Sequence, residues 1–258
     1  EERPGYALKK YSPYENSYLD GIGNSEKDDI YHYGSSLVDL IQQCPEQEIG
    51  SHTFSHYYCL ENASLSSFEA DLLAARRIAA ARGIELKTII FPRNQYSTEH
   101  LLCCKKHGFL AYRGNENSVV YRPRKNEDQE KAIRAARLTD AYINLTGHHS
   151  FDAGRSYDRE SGLVNLPASR FLRPYSARLS PLDGLRLSRI KKSMSFAATR
   201  KEAYHLWWHP HNFGANLKEN LAFLEAILQH YRHLNQRFGM ESRTMRAIAE
   251  ETLEPHAI

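Results

Sequence analysis

From about residue 36 the chain alternates short apolar runs with longer amphipathic stretches, whereas residues 1–35 are polar, tyrosine-rich and without a clean period. The opening segment is therefore expected to be irregular, and 36–258 to form one domain ending in helices. SLVDLIQQ predicts a short helix before Pro45. LLAARRIAAAR is built of strong helix formers, with Ser66 and Glu69 at capping-box spacing before it and Gly83 placed to stop it. KTIIF (87–91) predicts a buried strand ending at Pro92. Residues 97–107 read as a helix stopped by Gly108, FLAY as a strand, 127–140 as a charged helix, and AYINLT as a further strand. LVNLP is strand-like, Ser180-Pro181 is a helix start, and 181–201 predicts one or two helices. AYHLWW (203–208) predicts a strand, after which Asn216 and Glu219 cap a long helix ended by Gly239. Short strands alternating with helices of 10 to 20 residues predict an α/β fold, a mainly parallel sheet or a (β/α) barrel. In such folds the sites lie at the carboxyl ends of the strands, where His52, Arg93 and His209 fall.

The 258 residues are 41% apolar and 25% charged, enough to bury a core and incompatible with a disordered or collagen-like chain. No apolar run reaches the roughly 18 residues a membrane helix needs. Lys and Arg (34) nearly balance Asp and Glu (31), leaving +3 and no long basic block, so nucleic acid is not an expected partner. Cys44, Cys59, Cys103 and Cys104 contain no CxxC pair, which predicts a reducing compartment and a cytoplasmic location. Histidine is the unusual residue: 13 copies, about twice the ordinary share, direct attention to metal binding and proton transfer.

Three constellations can carry such chemistry. His52 and His56 in GSHTFSH are four apart, a spacing that lets two imidazoles share a metal, and Ser51, Thr53 and Ser55 leave room around them. Random placement of 13 histidines gives roughly 0.6 such pairs, so the strand-end context matters more than the spacing. Arg93 in FPRNQ follows a buried strand, where a guanidinium holds a carboxylate or an anionic substrate, or closes a sheet edge as a salt bridge. In HLWWHPHNFG, His209 and His211 flank Pro210, which stiffens the backbone so that an imidazole can face a cleft. Trp207 and Trp208 alternate faces, one for the core and one for the cleft, and Trp208 is taken as the sugar-stacking residue. Arg170 and Arg173 in SRFLRPYS present forked donors for a phosphate or carboxylate, or pair on the surface. His148 and His149 with Asp152 are a further site-lining group, and His100, His107, His230, His233 and His256 receive no role. No GxSxG, phosphate loop or dinucleotide fingerprint is present.

In their order, SHTFSH, FPRNQ and HLWWHPHNFG resemble the second, third and fifth motifs of the polysaccharide deacetylase family, the NodB-homology fold, over residues 36–240. The run through NLPASRFLRPYS is similar to a bacterial branch associated with surface-polysaccharide gene sets. The resemblance implies a deformed (β/α) barrel carrying a divalent metal, usually Zn2+, and hydrolysis of an N-acetyl or other acyl group on a sugar or nucleotide sugar. His52 and His56 match the metal histidines, Arg93 the arginine that orients a catalytic aspartate, and His209 the general acid; Trp208, Arg170, Arg173 and His211 are the expected substrate contacts. The family's first motif, an apolar strand ending in an Asp-rich turn, has no counterpart here, since Asp28-Asp29 follows no strand. The resemblance therefore implies a barrel incomplete at its N-terminus and an impaired metal centre. The alternative is a catalytically inactive carbohydrate-binding relative; a third reading is a regulatory protein whose histidines titrate near pH 6.5.

Overall fold

A computed structural model describes residues 21–60, 64–122 and 131–254, and the chain is a mixed α/β protein. The expected helix start at 127–130 and His256 lie outside the described residues. Two compact units emerge. The first contains the described residues through 113 with 157–164 and 243–254; the second contains those of 114–156 and 165–242.

In the first unit, 21–34 form turns, and α1 (Ser35–Gln43) follows with no buried residue. Then come α2 (Leu65–Ala80), β1 (Thr88–Ile89), α3 (Thr98–Lys106) and β2 (Ala111–Tyr112). Strands β1 and β2 pair in parallel with Thr88 opposite Ala111, and α3 is the crossover that this direction requires. Ser51 adds a parallel bridge to Ile89, with Ser51 N–H on the Thr88 carbonyl (2.8 Å) and Ile90 N–H on the Ser51 carbonyl (2.8 Å). Gly50 is needed beside that bridge, because a Cβ there would stand 2.7 Å from Thr88 Oγ1. Phe68, Leu72, Ile89, Phe91, Leu101, Cys104 and Phe109 form the core under α2 and α3. The cap of α2 is not the expected Ser66/Glu69 box: Ser64 Oγ accepts the Ser67 N–H, so the helix starts two residues earlier and leaves Glu69 for other partners.

In the second unit a 3-10 turn (Val119–Tyr121) precedes α4 (Lys131–Asp140). The AYINLT segment that follows is a turn rather than a strand. Asp140 Oδ1 accepts the Leu145 (2.9 Å) and Thr146 (3.0 Å) N–H groups, and Asn144 Oδ1 that of Gly147, so the backbone donors a strand would use are already taken. The chain then re-enters the first unit, where strand β3 (Tyr157–Asp158) pairs antiparallel with β4 (Leu163–Asn165) and completes its sheet in the order β1-β2-β4-β3. Beyond it, β5 (Arg170–Phe171), α5 (Asp183–Arg200) and β6 (Leu206–Trp207) make a second parallel βαβ unit, Arg170 opposite Leu206. Pro181 lies inside a 3-10 turn (Ala177–Leu182) that feeds α5, so the α-helix starts after the Ser-Pro pair. Then α6 (Leu217–Phe238) runs from Asn216, without a side-chain cap bond, to the left-handed Gly239. Ile190, Met194, Phe213, Ile227 and Leu234 are buried between α5, α6 and the 3-10 turn before α6. The chain returns to the first unit with α7 (Met245–Leu253), which packs beside β2.

Candidate functional site

The SHTFSH turn is held from below. Asp71, fully buried on α2, accepts the Phe54 N–H (2.7 Å), the Ser55 N–H (3.1 Å) and the Ser55 hydroxyl. Bonds to a charged acceptor contribute about 1.5–3 kcal/mol each, so one carboxylate fixes the loop. Thr53 Oγ1 takes the Tyr57 N–H (2.8 Å), closing the turn on itself. Within this frame His52 donates its Nδ1 proton to the Ile90 carbonyl (2.7 Å), which leaves Nε2 as the lone-pair nitrogen. The His52 and His56 rings stand 4.9 Å apart, edge to face, and both side chains are exposed. Two imidazoles bound tetrahedrally to one zinc at about 2.0–2.1 Å place their centroids about 5 Å apart, so the pair fits a shared ion.

Arg93 belongs to the same cluster. Its guanidinium lies 3.9 Å above the Tyr58 ring, which also meets His56 edge-on at 5.3 Å. Thr53, His56, Arg93 and Asn94 all have left-handed backbones, four of the seven non-glycine cases among the described residues. Each costs on the order of 1–3 kcal/mol, and the concentration in two adjoining loops marks a region where geometry is imposed at the expense of stability. Asp28 and Asp29 are occupied elsewhere: Asp29 accepts from Gly23, Tyr31 and His32, and Ser25 donates to Asp28. Among the described residues no carboxylate completes a three-donor set with His52 and His56.

In the second unit His209 sits two residues past β6 in an aromatic frame: Trp207 at 5.4 Å, Phe171 at 5.7 Å and the stacked His211 at 5.2 Å. His209 and His211 are exposed. Of the two tryptophans, Trp208 packs into the core on Phe213 (6.1 Å), and Trp207 is the one beside His209. Arg173 is half-buried, and its carbonyl accepts from Arg186.

Arg170 is in a different environment. Only 4% exposed, it donates to the fully buried Asp140 (2.6 Å), which also receives Tyr121 (2.8 Å) and Thr146 (2.8 Å), with Arg189 at 3.6 Å. Burial opposes the charge on Asp140, but these partners, Arg170 foremost, hold its carboxyl well below the usual range. His149 hydrogen-bonds Thr146 (2.7 Å); burial and the neighbouring Arg170 push its pKa down to about 4, which keeps the ring neutral. His148 is lowered by burial and Arg189, and Asp152 caps its own 3-10 turn through Gly154 (3.0 Å).

A group overlooked in the sequence lies between α2 and α3. Glu69, Cys103 and His107 bring ligand atoms within 4.8 Å of one another, a set that can hold a metal ion. His107 Nε2 meets Glu69 Oε1 at 2.6 Å, and Lys106 Nζ reaches the same oxygen at 2.7 Å. These contacts hold the Glu69 carboxyl below its ordinary value, Lys106 foremost. The legible signal was Cys103 and His107 four apart on a predicted helix; Glu69, 34 positions earlier, carries no local signal. All four cysteines are free thiols. No helix of the described residues is long and apolar enough to cross a membrane. Compared with known proteins, the chain matches no family model, no curated protein and no solved structure.

Proposed function

We propose that the protein is a metal-dependent carbohydrate deacetylase that hydrolyses an N-acetyl, or other acyl, group on a sugar or nucleotide sugar, on a deformed (β/α) barrel of the NodB type. The observation that carries this reading is the histidine pair: His52 and His56 stand 4.9 Å apart, and His52 Nδ1 donates to the Ile90 carbonyl, which puts the ring's lone pair on Nε2. A backbone carbonyl on the distal nitrogen is the usual support of a metal-bound imidazole. A divalent ion such as Zn2+ held there supplies Lewis acidity toward an acyl carbonyl. The chain's own residues do the rest. Arg93, kept on Tyr58, offers a forked donor to a carboxylate or to the developing oxyanion. The motif resemblance gives His209, in the second unit, the role of general acid. Beside it, Trp207 and Phe171 offer ring faces for a sugar.

The test is release of free amine from an N-acetylated oligosaccharide with Zn2+ supplied. Wild type is expected to release amine, and His52→Ala to reduce the rate at least 100-fold with no loss of fold. Absence of zinc-dependent release from wild type overturns the enzyme reading. The second reading, a carbohydrate-binding relative without catalysis, is favoured by the aromatic frame of Phe171 and Trp207 at 4.6 Å beside His209, which offers ring faces to a sugar. It predicts oligosaccharide binding that survives His52→Ala and falls on Trp207→Ala.

A further inference from the structure

We propose that Glu69, Cys103 and His107 form a binding site for a thiophilic divalent cation of the zinc class, separate from the His52 and His56 pair. The inference uses neither those histidines nor the deacetylase reading.

Cys103 and His107 project from one side of the last turns of α3, and Glu69 meets them from the first turns of α2, two helices that pack together in the first unit. A thiolate, an imidazole and a carboxylate match the mixed S, N and O preference of zinc. At bond lengths of about 2.0–2.3 Å, tetrahedral ligand atoms lie about 3.3–3.6 Å apart. The three atoms already lie within 4.8 Å, and the closest pair, Glu69 Oε1 and His107 Nε2, is at 2.6 Å. Insertion therefore asks for side-chain shifts of about 1 Å, without rebuilding either helix.

The charges also close. A dication with one thiolate and one carboxylate is neutral as a group, which suits a position where Cys103 is buried and Glu69 and His107 are half-buried. On binding, the Cys103 S–H bond breaks and its proton goes to solvent, while His107 ligates through Nε2 as a neutral imidazole that keeps its one proton on Nδ1. Lys106, 68% exposed, turns from Glu69 into water. No electron is transferred, and the fourth ligand is a water.

The test is a cobalt titration of the full chain under reducing conditions. One equivalent of Co2+ is expected to give a thiolate-to-cobalt charge-transfer band in the near ultraviolet that Zn2+ then displaces. Cys103→Ser should remove the band, whereas Cys44→Ser, at the exposed cysteine, and the double variant His52→Ala/His56→Ala should retain it. If Cys103→Ser does not fold, Glu69→Gln and His107→Gln, checked by circular dichroism, should weaken Co2+ binding at least tenfold. A wild-type protein with no band, or a band that survives Cys103→Ser, overturns the site. Persistence of the band in the double histidine variant, with or without deacetylase activity, keeps the two metal assignments independently testable.

Discussion

The cluster of histidine, arginine and carboxylate around Asp140 in the second unit and the one around His52 in the first are built on opposite terms. Around Asp140 in the second unit, Arg170, Arg189, Tyr121, Thr146 and His149 are turned inward and bonded to one another. Around His52 in the first unit the imidazoles are exposed, the backbone is held in left-handed conformations, and the buried carboxylate of Asp71 accepts from the backbone of the loop. The first arrangement resists change and the second stores strain to present groups outward. The same residue types thus occur in two settings, buried around one carboxylate in the second unit and exposed on a strained loop in the first.

The contrast is easiest to break at Asp140. Asp140→Asn leaves two buried guanidinium groups without their carboxylate and is expected to cost about 3–5 kcal/mol, read as a lower midpoint in urea unfolding. A larger midpoint change from His52→Ala than from Asp140→Asn would invert the comparison. Acid should act next. His149 is neutral in the folded protein with its pKa pushed down to about 4, so an unfolded chain binds a proton there first. Its contribution is complete above pH 6.5 and is lost as pH falls from 6.5 to about 4, on the order of 3 kcal/mol. Asp140, also depressed, extends the loss to lower pH, and in His149→Gln the upper part of this pH dependence should disappear. The smallest effect belongs to the exposed pair. His52→Ala and His56→Ala should each change stability by less than about 1 kcal/mol while removing only the part of the zinc-dependent stabilisation that does not depend on Cys103.

Much of this architecture was readable from local chemistry. The ends of α2 and α6 were set by helix formers and by Gly83 and Gly239, both left-handed as their positions require. The two parallel pairs follow from short apolar runs separated by α3 and α5. AYINLT misled because its apolar residues look like a strand, yet Ile143 and Leu145 are largely exposed and Asp140 captures the backbone that follows it. Arg170 read as a substrate arginine because its partner stands 30 residues earlier in a helix, beyond any local pattern. Asp71, the anchor of the histidine turn, was hidden among helix formers for the same reason. Pairwise spacing along a helix was visible; convergence from separate elements was not.

The first unit is assembled from three stretches of chain, and its last clasp comes late. Arg246 donates its backbone N–H to Glu48 (2.9 Å) and a guanidinium N–H to Glu85 (3.2 Å), the first across 198 positions. On a ribosome adding about 5–20 residues per second, Glu48 waits roughly 10–40 s for this partner. Over that interval β2 emerges without the helix that later packs beside it, whereas most of the second unit is synthesised as an uninterrupted run. The nascent chain is therefore expected to finish the inserted unit before the one that encloses it in sequence, and to expose the unit carrying His52 and His56 longest to chaperones and proteases.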